Sequence, residues 1–193
     1  MCGRYYVDEE MAVEIRRLLR MLEGRIRIPR SGDVYPSQTA AVIRAEGGEL
    51  ISEEMIWGFP GFDGKGLLIN ARSESALTKR TYRESVEHRR CVIPARGFYE
   101  WNAEKEKFSF RSRTHDPLFL AGCYNWFEDQ ERFVILTTGA NASMRPVHDR
   151  MPLILKPGEV EMWLMRDRAV GEILGEEPEE LECSTEYEQM KLF

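Results

Sequence analysis

The stretch Leu118–Thr138, LFLAGCYNWFEDQERFVILTT, decides the fold of this chain. It contains two strand-like runs, 118–127 and 132–138, on either side of an acidic segment that includes Asp129. Both runs are rich in the aromatic and β-branched residues that favour strands. Similar runs, broken by Gly, Pro and Asp, come earlier in the chain. They cover residues 40–45, 50–59, 67–70, 91–93 and 107–111. Most of the chain after Pro36 is therefore predicted to be sheet.

A helix is predicted before this β-rich region. Four apolar residues recur at helical spacing: Met11, Ile15, Leu18 and Leu22. Asp8 is a suitable N-cap and Gly24 a suitable C-cap. Shorter helices are predicted at 81–88 and just after Pro157. Together these elements predict an α+β fold, with one domain over residues 1–193 in which mainly antiparallel sheet closes toward a barrel and helices lie outside.

Composition indicates a globular protein with one core. The chain has 193 residues, of which 42% are hydrophobic and 31% charged. Acidic residues at 8–10 argue against a signal peptide, and the apolar runs are too short to span a membrane. The four cysteines are scattered and the three histidines show no ligand spacing relative to them. We expect a cytoplasmic monomer without structural metal, in which Cys91, Cys123 and Cys183 are small buried hydrophobic residues.

The charge distribution allows a local basic surface on an acidic protein. The formal net charge is −6, which on its own argues against a nucleic-acid partner. Acidic residues concentrate at 172–188, a stretch best interpreted as solvated surface. Arginines instead recur beside the unusual motifs of the chain: Arg4, Arg72, Arg96, Arg145 and Arg150. We hypothesise that they form a basic cleft.

Cys2 directly follows the initiator methionine in Met1-Cys2-Gly3-Arg4. Removal of the methionine, which a small second residue normally permits, leaves a cysteine with a free α-amine beside its thiol. The reference pKa values of these groups are about 8 and about 8.5, so both are partly nucleophilic near neutral pH. An aldehyde condenses with the amine to a Schiff base, and the thiol then closes a thiazolidine ring. The alternative is an ordinary residue at a frayed terminus.

Glu100 lies in the aromatic segment Arg96-Gly97-Phe98-Tyr99-Glu100-Trp101. Period-two alternation predicts that Glu100 shares a face with Phe98, opposite Tyr99 and Trp101. Apolar surroundings disfavour the charged form of a carboxyl group, which suits it to general acid and base catalysis. A structural ion pair with an arginine is the alternative.

Three further segments carry polar or aromatic groups that a core does not require. Asn70 and Arg72 follow an apolar run, where an amide could orient a substrate oxygen and a guanidinium could bind phosphate. His148, between two prolines, could move protons near pH 7. Trp57 could stack on a base. Each also has an ordinary interpretation: a strand end before a helix, a structural histidine, and a core or turn aromatic.

In order along almost the whole chain, these motifs resemble those of the SRAP domain proteins. The matching segments are 1–4, 57–58, 69–72, 97–101, 137–138 and 148–152. The resemblance implies a protein that recognises abasic sites in single-stranded DNA and crosslinks to them through Cys2, which shields the lesion during the DNA damage response. Autoproteolytic peptidase and strand-nicking lyase activities have also been associated with this family.

The resemblance assigns roles to eight residues. Those expected to act in catalysis are Cys2, Asn70, Glu100 and His148. Those expected to contact DNA are Arg4, Trp57, Arg72 and Arg150. In this interpretation Glu100 and His148 open the sugar and move protons, Asn70 holds the sugar, and the arginines bind phosphates. No metal or organic cofactor is required.

The chain departs from the family pattern in two places. Gly32-Asp33-Val34-Tyr35-Pro36 stands where Tyr-Asn-x-Ala-Pro is usual, which affects DNA contacts at that edge. The region after Asp167 lacks a counterpart of a valine- and asparagine-containing segment of the family. Two other classes stay open as alternatives: a glutamine amidotransferase with an N-terminal cysteine, and a module that binds single-stranded DNA without covalent chemistry.

Overall fold

The computed structural model describes residues 2–19, 31–62 and 64–185. Its strands are β1 (Tyr5–Val7), β2 (Gly32–Val34), β3 (Thr39–Glu46), β4 (Glu49–Trp57), β5 (Phe59–Pro60), β6 (Leu67–Leu68), β7 (Asn70–Arg72), β8 (Arg90–Ala95), β9 (Gly97–Trp101), β10 (Lys107–Ser112), β11 (Leu118–Phe127), β12 (Gln130–Gly139), β13 (Arg150–Pro152), β14 (Ile154–Leu155) and β15 (Leu181–Thr185). Its helices are α1 (Met11–Leu18), α2 (Ser73–Ala76), α3 (Arg83–His88), α4 (Pro157–Met165) and α5 (Val170–Ile173), with a 3-10 turn at Asp167–Ala169.

Five strands close into a barrel. The predicted runs at 118–127 and 132–138 form the antiparallel hairpin of β11 and β12. From β12 the hydrogen bonding continues in parallel to β4, and then antiparallel to β3, β8 and back to β11. The prediction of mainly antiparallel sheet with a barrel-like core is confirmed, with the pairing of β12 and β4 as a parallel exception.

The barrel is covered by a helix on one side. Every residue of β8 is buried, because α4 packs on the strand from outside the barrel. Trp163 of α4 is fully buried and donates its indole N–H to the carbonyl oxygen of Cys91 at 3.0 Å. This bond satisfies the polar end of a large apolar side chain, as buried tryptophans require. The core therefore extends through the barrel wall to the helix.

A second, antiparallel sheet has the strand order β15-β10-β9-β1-β2. Only Arg96 separates β8 of the barrel from β9 of this sheet, so the two layers share one continuous chain segment. Along β9, Phe98 and Glu100 are buried whereas Tyr99 and Trp101 are half-buried. The predicted alternation of faces in this segment is confirmed.

The first helix is shorter than predicted: α1 runs from Met11 to Leu18, with Glu10 as its N-cap and Leu19, in an extended conformation, as its C-cap, so the predicted caps Asp8 and Gly24 are wrong. Met11 and Ile15 of α1 are fully buried, and Asp8 accepts a hydrogen bond from the Met11 N–H at 3.0 Å. Leu22 and Gly24 lie outside the described residues. Helices α3 and α4 lie at the two other predicted places. None of the helices in the described ranges is long and apolar enough to cross a membrane.

The cysteines differ in their surroundings. Cys91 and Cys123 are buried in the barrel strands β8 and β11, as predicted. Cys183 is exposed, so its prediction as a buried residue is wrong. The reason is its position on β15, which lies at the edge of the second sheet and, within the described ranges, pairs with β10 alone.

Candidate active site between the sheet and the barrel

Cys2 is held inside the protein at the start of β1. Its residue surface is 1% exposed, and its Sγ lies 3.9 Å from the carbonyl oxygen of Arg4. The side-chain Nδ2 of Asn70 donates a hydrogen bond to the Cys2 carbonyl oxygen at 2.9 Å. This bond connects the segment that leads into β1 to strand β7. The alternative of a frayed, unimportant terminus therefore does not describe Cys2.

The surroundings of Cys2 favour the neutral thiol. Burial raises the pKa of the Cys2 thiol to about 12, and the negative charge of Glu100 contributes to the increase. A thiol with this pKa is protonated near pH 7, so it needs a proton acceptor before it can attack. The Arg4 carbonyl oxygen accepts the Tyr99 backbone N–H at 2.9 Å, so the segment that carries Cys2 runs beside the strand that carries Glu100. The structure thus brings together the predicted nucleophile and the predicted base.

Glu100 is a buried carboxylate on β9. Its residue surface is 5% exposed, and Phe98 lies beside it on the same face. Its Oε1 accepts a hydrogen bond from the Trp101 backbone N–H at 3.3 Å. In the register of the sheet it lies opposite Phe108. Glu100 is therefore held in the interior by a regular strand.

Asn70 is positioned by the strand pairing of β7 with β12. It lies opposite Ile135, and its backbone carbonyl accepts a hydrogen bond from the Tyr82 hydroxyl at 3.4 Å. Its side-chain Oδ1 is buried and has no hydrogen-bond donor among the described residues. A buried amide oxygen normally has a partner. Asn70 thus combines a fixed donor, directed at Cys2, with an acceptor that a ligand could use.

Trp57 does not offer the stacking surface that we expected. Its residue surface is fully buried, and its ring lies 6.2 Å from that of Phe133 at an angle of 7° and 5.2 Å from that of Tyr5. Its indole N–H donates to the Ile69 carbonyl oxygen at 3.0 Å. The expected contact with DNA is incompatible with this burial, and the alternative of a core aromatic fits. Trp57 instead holds the backbone of Ile69, the residue that precedes Asn70, through this hydrogen bond.

The C-terminal half of β12 brings two other predicted segments together. It pairs with β7 through Thr137 and Arg72, and with β13 through Gly139 and Arg150. The Arg150 guanidinium donates to the Thr137 carbonyl oxygen at 2.6 Å and to Glu74 at 2.9 Å. The ion pair with Arg150 lowers the pKa of the Glu74 carboxyl group, and the charge of Arg72 adds to this effect.

His148 lies two residues before Arg150. Its Nδ1 accepts the Arg150 backbone N–H at 2.9 Å, which fixes the proton of the neutral ring on Nε2. The Asp149 carboxylate lies 2.9 Å from the same Nδ1. The side chain is 26% exposed. The ring is thus oriented by the backbone and remains accessible to a proton donor or acceptor.

The arginines do not form the free basic cleft that we hypothesised. Arg4 pairs with Asp33, and Arg150 pairs with Glu74. Arg96 contacts Asp8 at 2.6 Å and Glu14 at 2.8 Å, and so connects α1 to the second sheet. Arg145 donates to the backbone oxygen of Ala140 at 3.1 Å. Arg72 is exposed.

Tyr5 is a polar residue of the site that sequence reasoning missed. Its residue surface is 1% exposed, and its hydroxyl oxygen has no hydrogen-bond partner among the described residues. Burial raises the pKa of the Tyr5 hydroxyl, and the electrostatic influence of Cys2 raises this pKa further. Tyr5 and Cys2 both belong to the same buried core. Tyr5 pairs with Phe98, which lies two residues before Glu100 on the same face of β9, and the sequence alone gives no sign of this long-range pairing.

Comparison with known proteins identifies the class to which this fold and site belong. The sequence profile of the family described as SOS response associated peptidase (SRAP) matches residues 1–188. The chain belongs to the SRAP family. The family resemblance seen in the sequence motifs is thereby confirmed.

Individual relatives match over most of their length. The Abasic site processing protein YedK of Escherichia coli (strain K12) is 28% identical over an alignment of 196 residues, with 95% of this chain and 86% of the relative covered. The Abasic site processing protein YoqW of Bacillus subtilis (strain 168) is 32% identical over 181 residues, with 85% and 80% covered.

Solved structures share the fold. A protein from Bacteroides thetaiotaomicron has a TM-score of 0.80 at 20% identity, with 95% of this chain and 91% of that chain covered. A protein from Bordetella bronchiseptica has a TM-score of 0.78 at 22% identity, with 95% and 99% covered. At these identities the likeness concerns the fold.

Proposed function

We propose that this chain processes abasic sites in single-stranded DNA by forming a covalent bond to the lesion through Cys2. The observation that carries the proposal is the buried Cys2 thiol, held through its own carbonyl by Asn70 and influenced by the Glu100 carboxylate. The names of the Escherichia coli and Bacillus subtilis relatives, abasic site processing proteins, support the same substrate.

The chemistry requires the α-amine of Cys2, which is available once Met1 is removed. The amine attacks C1′ of the open-chain deoxyribose aldehyde, and loss of one water molecule gives a Schiff base. The thiol then adds across the C=N bond: sulfur bonds to C1′, and the thiol proton is transferred to nitrogen. Glu100 serves this transfer, because it can accept the proton from sulfur and return it to the amine. The product is a thiazolidine.

The other residues prepare the sugar and hold the strand. We assign sugar ring opening to proton transfer by Glu100 and His148. The Oδ1 of Asn70 accepts a hydrogen bond from the sugar. Arg72, the exposed last residue of β7, binds a backbone phosphate. Arg150 acts mainly through its bonds to Thr137 and Glu74, which order the segment around His148.

The setting of this activity is part of the proposal. We expect a monomer in which residues 1–193 form one SRAP domain, acting in the cytoplasm and associated with the nucleoid when bound to DNA. The preference for single strands follows from the chemistry, because an open aldehyde must reach a buried thiol, and an unpaired nucleotide is easier to rotate out of a strand than a paired one.

The decisive experiment is adduct formation with an oligonucleotide that contains one abasic site. Wild-type protein should give an adduct that resists heat and SDS, and Cys2→Ala should lose it. Cys183→Ala is the matched control, because it removes an exposed thiol from the edge of the sheet. Protein that retains Met1 should behave like Cys2→Ala.

Two results would contradict the proposal. A stable adduct of undiminished yield from Cys2→Ala would exclude the thiazolidine. DNA binding without any adduct from wild-type protein lacking Met1 would indicate the non-covalent module instead. Glutamine hydrolysis, measured on the same preparation, would indicate the amidotransferase alternative.

A further inference from the structure

Arg4 lies in a cluster on the outer face of the second sheet, formed with Asp33, Tyr35 and Tyr99. Its Nε donates to the Asp33 carboxylate at 2.7 Å, and its Nη2 contacts the same carboxylate oxygen. The guanidinium carbon lies 4.9 Å from the centre of each tyrosine ring. Both charged side chains are 24% exposed. The guanidinium is thus placed where a ligand from solvent can reach it.

Asp33 receives more than one donor. The Tyr35 hydroxyl donates to the carboxylate oxygen that Arg4 uses, at 3.4 Å. The Tyr99 hydroxyl also interacts with Asp33. The hydrogen bond to Asp33 is the main cause that raises the pKa of Arg4. Several groups therefore hold the carboxylate against the guanidinium.

The sheet itself fixes this arrangement. Asp33 lies on the edge strand β2, opposite Tyr6 in the register. The Arg4 carbonyl accepts the Tyr99 backbone N–H at 2.9 Å, which places Arg4 beside β9. Regular backbone pairing therefore brings Arg4 and Asp33 together although they lie 29 residues apart in the sequence, and their side chains form the ion pair.

We propose that Asp33 acts as an internal anion that occupies the guanidinium of Arg4 in place of a DNA phosphate, and so limits the affinity of this chain for single-stranded DNA. Carboxylates and phosphates bind the same fork of guanidinium donors. A phosphate that reaches Arg4 must displace the Asp33 carboxylate or lie beside its negative charge. This inference rests on the proposed function, and it identifies Asp33 as the residue that weakens the contact between Arg4 and DNA.

Asp33→Asn tests the inference, because it keeps the size and one acceptor oxygen but removes the charge. The measurement is fluorescence anisotropy with an oligonucleotide without an abasic site, over a range of KCl concentrations. Affinity near 0.1 M salt should rise about two- to fivefold, which is the change expected from the free energy that an exposed ion pair contributes. The log–log dependence on salt should steepen by about 0.7, for one additional phosphate contact.

Glu182→Gln is the matched control. Glu182 forms a two-point ion pair with Arg111, at 2.9 and 2.8 Å, on β15 and β10 at the opposite edge of the same sheet from β2. The substitution changes the net charge by the same amount, and it should leave affinity and salt dependence unchanged. Asp33→Ser serves as a second variant if Asp33→Asn lowers the melting temperature.

A double substitution separates a local effect from a general one. In the Arg4→Ala background, Asp33→Asn should no longer increase the affinity, because the guanidinium that Asp33 occupies is gone. An equal increase in that background, or unchanged or weaker binding in the Asp33 single variants, would overturn the inference. Wild-type protein that binds DNA but forms no abasic-site adduct would contradict the proposed function and leave this inference standing.

Discussion

The two faces of strands β1 and β9 differ in the groups that they carry. The inner face has Tyr5 paired with Phe98 and, two residues further, Glu100, all at most 5% exposed. The outer face has Arg4 and Tyr99, which are only partly buried. One step along the backbone therefore separates the residues that we propose to transfer protons from those that we propose to bind DNA. Alternation along a strand allows both to be built from a single segment.

The difference between the faces is one of effective dielectric. On the inner face, burial and the charge of Glu100 raise the pKa of the Cys2 thiol to about 12. On the outer face, Arg4 and Asp33 attract each other close to water, where exposed ion pairs contribute little free energy. Substitutions inside should therefore change reaction rates, and substitutions outside should change affinity and its dependence on salt.

The largest effect should come from Glu100→Gln on the inner face. This substitution keeps size and hydrogen bonding but removes the proton acceptor, so crosslinking should slow by about 10²- to 10⁴-fold. Binding of DNA should stay close to wild type. Single-turnover adduct formation and reversal, measured across pH with thermal melting as a check on folding, would test this.

A surface carboxylate provides the comparison for that experiment. Glu104 lies in the exposed turn between β9 and β10, so Glu104→Gln should crosslink at the wild-type rate. Folded Glu100→Gln that also reacts at the wild-type rate would assign Glu100 to structure, and the contrast between the two faces would then fail for catalysis.

A second effect of Glu100→Gln concerns the ionisation of Cys2. Because the negative charge of Glu100 disfavours the thiolate, its removal should lower the thiol pKa from about 12, while burial keeps it above the ordinary value. More thiolate should then be present at a given alkaline pH. The ¹³Cβ chemical shift of labelled cysteine, assigned with Cys2→Ala, reports this titration. A thiol pKa that is unchanged or higher would show that Glu100 does not act on Cys2.

The smallest predicted effect concerns Arg72, the cation at the end of strand β7, which begins with Asn70. Arg72→Ala should weaken the binding of single-stranded DNA and reduce the log–log salt dependence by about 0.7, the value for one phosphate. Arg168→Ala, in the exposed 3-10 turn, should leave the salt dependence as it is. Equal slopes for wild type and Arg72→Ala would remove Arg72 from the proposed interface.

The sequence predicts those parts of the structure that depend on local pattern. The run at 118–127 coincides with β11, and the face of Glu100 follows from period two. Strand β15 was not predicted, because its two apolar residues lie within an acidic stretch. The inward direction of Trp57 was not predicted either, since the consecutive apolar residues Met55-Ile56-Trp57 give no sign of which face meets solvent.

Long-range pairing sets the other limit on sequence reasoning. The departures at Asp33 and Tyr35 were visible in the sequence, but their contact with Arg4 depends on the register of β1 and β2. The same holds for the bond from Asn70 to Cys2. The motifs indicated the candidate residues, and the strand register determines which of these residues form ion pairs and hydrogen bonds with each other.

The bond between Asn70 and Cys2 also has a consequence for the newly made chain. Asn70 lies 68 residues beyond Cys2, and Glu100 is translated later still. At translation rates of about 5 to 20 residues per second, Asn70 is added roughly 3 to 14 s after Cys2, and Glu100 roughly 5 to 20 s after it. During that interval the amino terminus is open to the aminopeptidase that removes methionine. In the proposed mechanism, the order of synthesis thus lets the α-amine of Cys2 be exposed before the residues that enclose it are made.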